Sequence, residues 1–376
     1  MLVSPFSFYY NENIKDNRNG GYSMNSYERF KRMYEHKEAD RVPIIDDPWA
    51  GALRRWRNEG LPTSMDWRDY FDIDKNSRIW IDISPRFPQK VLEETDRYVI
   101  STTSWGLTKK SFKMEDSTPE MLDFKITTEE AWEQAKKQMT LEDNRIPWER
   151  LKRDFAKWRA EGHWITAEFW FGFDVTHSWM MGTENLLIAM MEEPELVEDM
   201  FATYLDRCEK LFARIWDAGY HFDEIRWPDD MGYKGTTFFS PAMYRELLQP
   251  YHKKAVDWAH ERGIYARLHS CGNITSFLPD IIATGIDALN PLEVKAGMDA
   301  FQIKKDYGDK LVLHGGIDAV KWPDTEAVIA EIREKVPVLK QNGGYIFSSD
   351  HSVPNNVTLE NMKRIIAEAK KAGSYV

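Results

Sequence analysis

The sequence predicts a closed (β/α)8 barrel, an α/β fold of the TIM type in which parallel strands form the inner wall. Short apolar segments alternate with helical segments at least five times in succession between residues 164 and 372. Strands that are nearly all apolar are typical of a parallel sheet with helices on its outside. The chain has no dinucleotide-type glycine fingerprint, and this favours a closed barrel over an open sheet.

Each strand of this barrel is predicted from a short apolar run. The runs lie at residues 41–47, 78–84, 164–169, 222–227, 264–269, 288–293, 311–314 and 345–350. Helices are expected between them; Pro241, for example, suits the first position of a helix that follows Ser240. Residues 99–113 alternate polar and apolar side chains, which predicts a small antiparallel excursion.

The domain organisation follows from where this pattern begins. Residues 1–23 are polar and irregular. We interpret them as a tail, or as an arm onto a second copy in a homodimer. Residues 24–376 form a single predicted barrel domain, a length that α/β barrels commonly reach.

Composition excludes several classes of partner. The net charge of -11 argues against nucleic acid or an anionic membrane surface as the main partner. No apolar run approaches the length of a membrane span, and the N-terminus lacks the features of a signal peptide. Cys208 and Cys271 are the two cysteines, too few for a disulfide framework, so a reducing cytoplasmic location is expected. Cys208 lies in a helical stretch and is predicted to be a buried, neutral thiol.

The strongest candidate site is the end of the strand at residues 264–269. His269 and Cys271 are two residues apart, so both side chains point to one face of an extended backbone. Imidazole and thiolate together suit Zn²⁺ better than other common ions. The sequence therefore predicts a metal site here, with at least one further ligand supplied from elsewhere in the chain.

Other polar residues follow the strands and would converge on the same barrel mouth. Glu293 and His351 are the candidates for completing the zinc shell. The alternative for Glu293 is an ion pair with Lys295, and for His351 a structural hydrogen bond. His314 is expected to make a backbone hydrogen bond.

Three carboxylates at strand ends are candidates for moving protons. Asp229 and Asp230 are adjacent, so each is expected to raise the pKa of the other in a closed site. Glu168 ends the third predicted strand. The alternative for the aspartates is helix capping, or pairing with Arg226.

Several motifs together resemble the uroporphyrinogen decarboxylase superfamily. They are His269-Ser-Cys-Gly, Gly285-Ile-Asp-Ala-Leu-Asn-Pro-Leu-Glu293, Leu313-His-Gly-Gly-Ile-Asp318, His351-Ser-Val-Pro354 with Leu359-Glu-Asn361, the N-terminal Glu28-Arg-Phe and Asp40-Arg-Val-Pro43, and Ser240-Pro-Ala-Met-Tyr-Arg245. The resemblance covers the chain from about Met24 to its end and implies the barrel already predicted.

The superfamily has two functional branches. Decarboxylases use no metal and bind a tetrapyrrole through an N-terminal Arg-Gln-Ala-Gly-Arg motif and an aspartate. Here the motif region reads Trp49-Ala-Gly-Ala-Leu-Arg54-Arg55, and Asp82 is only weakly similar to the aspartate. The cobamide-dependent methyltransferases carry His-x-Cys and a distant third ligand, usually Cys, where this chain has His351.

The resemblance therefore implies a zinc-dependent methyltransferase. It would move a methyl group between a small donor and a corrinoid (cobamide) held on a partner protein. Tryptophans near strand ends, among them Trp179, favour a methoxylated aromatic donor, and Trp49, Arg54 and Asp82 are further candidates for substrate binding. The alternatives are a metal-free decarboxylase acting on a tetrapyrrole or related acid, and a corrinoid- or tetrapyrrole-binding protein without catalysis.

Overall fold

The computed structural model describes residues 23–113 and 118–376. Of the predicted tail or arm, residues 1–22 lie outside the described part. The strands are β1 Asn76–Trp80, β2 Val91–Glu94, β3 Tyr98–Thr102, β4 Leu107–Phe112, β5 Glu120–Phe124, β6 Trp164–Glu168, β7 Glu224–Pro228, β8 Gly232–Tyr233, β9 Thr236–Thr237, β10 Tyr265–His269, β11 Ala288–Asn290, β12 Val312–His314 and β13 Tyr345–Ile346.

Helices surround these strands, and their bounds agree closely with the amphipathic segments of the sequence. They are α1 Ser26–Tyr34, α2 Ala50–Asn58, α3 Trp67–Phe71, α4 Glu129–Gln138, α5 Trp148–Ala160, α6 Phe173–Thr176, α7 Thr183–Glu192, α8 Pro194–Asp217, α9 Pro241–Met243, α10 Gln249–His260, α11 Leu278–Ala283, α12 Ala300–Tyr307, α13 Thr325–Leu339 and α14 Leu359–Gly373. Two π-helical segments, His177–Met181 and Tyr244–Leu248, extend α6 and join α9 to α10. No helix in the described ranges is both long and apolar enough to cross a bilayer.

The fold is the predicted (β/α)8 barrel. Seven strands pair in parallel in the order β1-β6-β7-β10-β11-β12-β13. The segment around Ile44 occupies the eighth position, because Ile44 forms a parallel bridge with Phe347 beyond β13 and its carbonyl accepts from Asp74 just before β1. This segment is not a regular strand, since Pro43 has no N–H to donate.

The inside of the barrel is layered. Residues two apart on a strand point to the same face, and the lowest inward side chains include Trp164, Ala288 and Val312. Helix α1 closes this end, because Phe30 and Tyr34 each stack on the Trp164 ring. The next inward positions are polar or charged, among them Thr166, Glu224 and Arg267, so the mouth of the barrel has an apolar floor with an ionic layer above it.

The predicted antiparallel excursion is confirmed and is larger than expected. Strands β2 to β5 form a four-stranded antiparallel sheet outside the barrel, between β1 and α4. Leu107 is buried against the rest of the chain, whereas Val91 and Leu92 on the first strand are exposed.

His163, which immediately precedes β6, makes a testable contribution to stability. The ring is buried between the Ser77 hydroxyl, 2.8 Å from Nδ1, and the Glu161 carboxylate, 3.1 Å from Nε2. Burial is the main cause that lowers its pKa to about 4. A folded-state pKa below the unfolded value near 6.5 means that the unfolded chain takes up the proton first as the pH falls.

We therefore expect the His163 contribution to be complete above about pH 6.5 and to be lost progressively between about pH 6.5 and pH 4. The measurement is urea unfolding of the wild type and of His163→Gln across this range. The wild type should lose roughly 1–3 kcal/mol more than the variant on acidification. Parallel pH profiles would contradict the assignment.

Candidate metal centre at the barrel mouth

The turn after β10 fixes the position of Cys271. Gly272 has φ of 81°, and a Cβ on it would overlap the backbone of Gly232 and Tyr233 in the β8–β9 hairpin. Only glycine fits such a close approach of two backbones at positive φ. The Cys271 N–H donates to Oδ1 of Asp230 at 2.8 Å. These contacts hold the cysteine beside the end of β7.

His269 is oriented by Asn290 on the neighbouring strand β11. The Asn290 amide NH₂ donates to the His314 carbonyl at 3.3 Å, so its Oδ1 faces Nδ1 of His269 and accepts from it. This assigns the ring proton to Nδ1 and leaves the lone pair of Nε2 free. A neighbour that fixes the tautomer in this way is typical of a metal-binding histidine.

Three potential ligand atoms meet at this point. In the described ranges, the ligand atoms of Asp230, His269 and Cys271 all lie within 4.8 Å of one another. Nε2 of His269 lies 3.5 Å from the Cys271 sulfur and 3.7 Å from Oδ1 of Asp230. Ligands bonded to tetrahedral Zn²⁺ at about 2.0–2.3 Å are spaced by nearly these distances.

The pKa values of the three groups show how burial acts on them. Burial, with Arg226 nearby, lowers the pKa of His269 to about 3, so the ring is neutral. Burial and Asp174 raise the pKa of Asp230 to about 7. Burial, followed by Asp230, raises the pKa of Cys271 well above its ordinary value. A divalent ion would reverse both increases, because it stabilises thiolate and carboxylate.

The other two predicted ligands, Glu293 and His351, lie outside this group of three in the described chain. Glu293 accepts from the Gly272 N–H and forms the anticipated ion pair with Lys295 at 3.1 Å. His351 is exposed, lines the cavity and stacks on Trp49 with ring centroids 6.1 Å apart. Their role as ligands stays a prediction.

Asp229 is buried behind the group. Its Oδ2 lies 2.8 Å from Nε2 of His252, whose Nδ1 lies 2.9 Å from the Tyr244 hydroxyl. Its Oδ1 accepts from the Asp174 N–H in α6 at 2.7 Å. Burial raises the Asp229 pKa, although His252 opposes the increase. The Asp229–His252–Tyr244 chain can hold a proton close to Asp230.

Glu168 belongs to the ionic layer inside the barrel. Its carboxylate pairs with Arg226 at 2.9 Å and with Arg78 at 3.4 Å. Arg78 in turn pairs with Asp47 at 2.6 Å. A carboxylate held between two guanidinium groups is well suited to fixing their positions in the cavity.

A cavity of about 710 Å³ opens above this layer. His269, Cys271, Asn290, His314 and His351 lie in its wall. Asp47, Arg78, Arg226 and Arg267 line it as well, together with Trp67, Trp80 and Trp158. The wall thus combines the candidate ligands, guanidinium groups and flat aromatic rings.

In the described ranges, none of the four predicted substrate-binding residues lines this cavity. Asp82 is paired with Arg86 at 2.6 Å and accepts from the Ser84 hydroxyl. Trp179 contacts Trp170, with ring centroids 5.3 Å apart. Trp49 immediately precedes α2, and the exposed Arg54 lies in the middle of this helix. Binding of substrate by these four residues stays a prediction.

Sequence reasoning missed several residues of the site. Asn290, His252 and Asp174 were not singled out, and of the arginines inside the barrel only Arg226 was considered, as a partner of the aspartates. His314 was expected to bond to backbone, but its Nδ1 lies 2.9 Å from a guanidinium nitrogen of Arg267. The signal for the arginines was present, because Arg226 and Arg267 lie within the predicted strands at residues 222–227 and 264–269.

The comparisons with known proteins agree with this fold. A family profile for uroporphyrinogen decarboxylase (URO-D) matches residues 175–372, more than half of the chain, and the protein belongs to this family. The matched region contains Asp230, His269 and Cys271.

One curated protein and one solved structure are similar to this chain. A uroporphyrinogen decarboxylase of Vesicomyosocius okutanii subsp. Calyptogena okutanii (strain HA) is 26% identical over 91 residues, which are 24% of this chain and 26% of that protein. The chain thus spans about a quarter of the length of this curated relative. A methyltransferase from Methanosarcina mazei superposes with a TM-score of 0.63 at 14% identity, over 93% of this chain and 99% of that one. The second likeness shows a shared barrel fold.

Proposed function

We propose that the protein is a zinc-dependent methyltransferase that moves a methyl group between a small methylated donor and a corrinoid on a partner protein. The observation that supports it most is the spacing of Nε2 of His269, Sγ of Cys271 and Oδ1 of Asp230, which suits one tetrahedral ion. The methyltransferase from Methanosarcina mazei, which shares the fold, is consistent with this reaction class.

When bound, zinc would supply a Lewis acid for the donor's heteroatom, which must leave with the electron pair of its bond to the methyl group. His269 and Cys271 would hold the ion, and the cavity would leave a coordination position open to the donor. Asn290 keeps Nε2 of His269 unprotonated for this purpose. The barrel mouth would face the corrinoid protein.

The departing heteroatom also needs a proton. Asp230 is proposed to supply it when it is not bound to the ion, because its Oδ1 lies 3.7 Å from Nε2 of His269, next to the position proposed for the ion. Asp229, with His252 and Tyr244 behind it, can return a proton to Asp230. Glu168 is proposed to act through Arg78 and Arg226, whose positions it fixes.

The proposal is tested by metal content together with methylation of cob(I)alamin. Purified protein should contain one zinc per chain and should methylate cob(I)alamin from some member of a panel of methoxylated aromatics and methylamines. Asp230→Asn separates two roles. Zinc retained with turnover lost indicates a proton donor, and zinc lost indicates a ligand.

The second candidate function is a metal-free decarboxylase. The family profile and the curated decarboxylase relative favour it, as do the arginines in the cavity wall, which suit a carboxylic acid substrate. Protein that is free of zinc and releases CO₂ from a porphyrinogen would establish this alternative and exclude the first.

Asn290 gives a specific prediction within the methyltransferase proposal. Asn290→Leu removes the acceptor that fixes the His269 tautomer, and we expect zinc affinity to fall by about 10- to 100-fold. Competition with a chelator of known affinity measures the change. Asn273→Ala is the matched control, because Asn273 lies in the turn after β10 without contacting His269. This variant should keep its zinc affinity within about threefold of wild type.

A further inference from the structure

His314 ends strand β12 and lies in the cavity wall next to Arg267. A guanidinium nitrogen of Arg267 lies 2.9 Å from Nδ1 of His314. A guanidinium group can only donate hydrogen bonds. Nδ1 must therefore be the accepting nitrogen, and a neutral ring then carries its one proton on Nε2.

Arg267 cannot readily turn away from His314. Its other terminal nitrogen pairs with the buried Glu224, and Glu224 also accepts from the Tyr34 hydroxyl and, at 2.6 Å, from the Thr166 hydroxyl. All of these groups are buried. The orientation of the His314 ring is thus set by a chain of contacts that begins in α1.

The outer nitrogen of His314 is left for a ligand. In the described ranges, Nε2 of His314 has no hydrogen-bond partner. It does not belong to the fully buried polar atoms without a partner, so this nitrogen is accessible. Since His314 lines the cavity, this nitrogen opens into it. Burial is the largest cause that lowers the His314 pKa, followed by Arg267 and Arg226, so the ring stays neutral.

We propose that His314 is a substrate-binding residue whose Nε2–H donates to a carboxylate oxygen of the ligand. A carboxylate accepts and does not donate, which matches a nitrogen that can only donate. Arg78 and Arg226 in the same wall are further hydrogen-bond donors, and Trp67 and Trp80 offer flat apolar surface. The ligand class is therefore a flat organic acid. This proposal does not require a metal or methyl transfer.

The first test concerns the proton. Nitrogen-15 NMR of histidine-labelled wild-type protein distinguishes protonated from unprotonated ring nitrogens, and His314→Gln identifies the resonance by its loss. We expect a neutral ring with the proton on Nε2 throughout pH 6–8. A proton on Nδ1, or an imidazolium in this range, would overturn the proposal.

The second test uses benzoate as the probe. Calorimetric titration should detect benzoate binding to the wild type and roughly tenfold weaker binding to His314→Phe, since a hydrogen bond to a charged group is removed. His314→Gln can accept from Arg267 and donate into the cavity, so it should bind within about threefold of wild type. Benzylammonium, which only donates, should not bind.

Equal benzoate affinity in wild type and His314→Phe would refute the role of His314, as would no binding to wild type. If His314→Phe does not fold, the test is the nitrogen-15 resonance of His314 Nε2 in the wild type. Addition of benzoate must shift this resonance. Failure here leaves zinc content and cob(I)alamin methylation untouched, so it is distinguishable from failure of the methyltransferase proposal.

Discussion

Cys271→Ala is expected to abolish zinc binding and all activity that depends on it. The variant removes the sulfur 3.5 Å from Nε2 of His269 and leaves an imidazole and one carboxylate, a weak set of ligands. The loss of affinity should exceed the roughly 100-fold that follows loss of an outer-shell partner. Elemental analysis of purified wild type and variant measures it directly.

Cys208→Ala is the matched control, because it removes the other thiol. Cys208 is buried in α8, and burial raises its pKa to about 12, so it does not form a thiolate near neutrality. We expect this variant to keep its zinc. Equal zinc content in wild type and Cys271→Ala, or zinc lost only with Cys208, would contradict the proposed centre.

The second large effect is expected at Asp74, which ties the N-terminal segment to the barrel. Its buried carboxylate pairs with Arg29 at 3.0 Å and Arg41 at 2.5 Å and accepts from the Ile44 N–H at 2.8 Å. These contacts hold α1 under the barrel and the Ile44 segment in the eighth position. The pKa of Asp74 is lowered, because the attraction of Arg41 and Arg29 outweighs its burial.

Asp74→Asn removes the carboxylate that pairs with Arg41 and one of the two that pair with Arg29, which keeps Asp40 at 2.7 Å. Breaking one partner of a buried ion pair costs about 3–5 kcal/mol, and urea unfolding should show a loss of this size. Asp72→Asn is the control, since Asp72 is exposed in its pair with Lys370 and should contribute about 0–1 kcal/mol. Similar losses in both variants would show that Asp74 does not anchor the segment.

The fold could be predicted because each strand and helix is indicated by residues that are contiguous in the sequence. Apolar runs such as residues 264–269 and helix signals such as Ser240-Pro241 are read directly from the sequence. The eighth position is where the prediction was least accurate. Residues 41–47 were expected to form a strand, but Pro43 and the Asp74 contact reduce the pairing to a bridge at Ile44.

The site was predicted only in part, because its contacts join distant segments. His269 and Cys271 share a strand end, and their spacing alone brings them together. Asn290 and His252 lie 21 and 23 residues from the groups they contact, and no spacing rule relates them. Asp230 was predicted as a catalytic acid, whereas its distance from His269 makes it a candidate ligand as well.

The burial of the arginines inside the barrel could not be predicted from the sequence, for a different reason. Each occupies a strand that reads as apolar, so its charge suggests solvent exposure. Inside the barrel Arg267 is compensated by Glu224, and Arg226 by Glu168, which are brought close by the register of neighbouring strands. Such compensation becomes visible only when the strand pairing is known.

The central claim is that Cys271 and His269 hold one zinc ion. X-ray absorption at the zinc edge of the purified protein tests it most directly. One sulfur at about 2.3 Å and two or three nitrogen or oxygen ligands at about 2.0–2.2 Å are expected, with the sulfur contribution absent in Cys271→Ser. A zinc shell without sulfur in the wild type, or protein that binds no zinc when it is supplied, would contradict the claim.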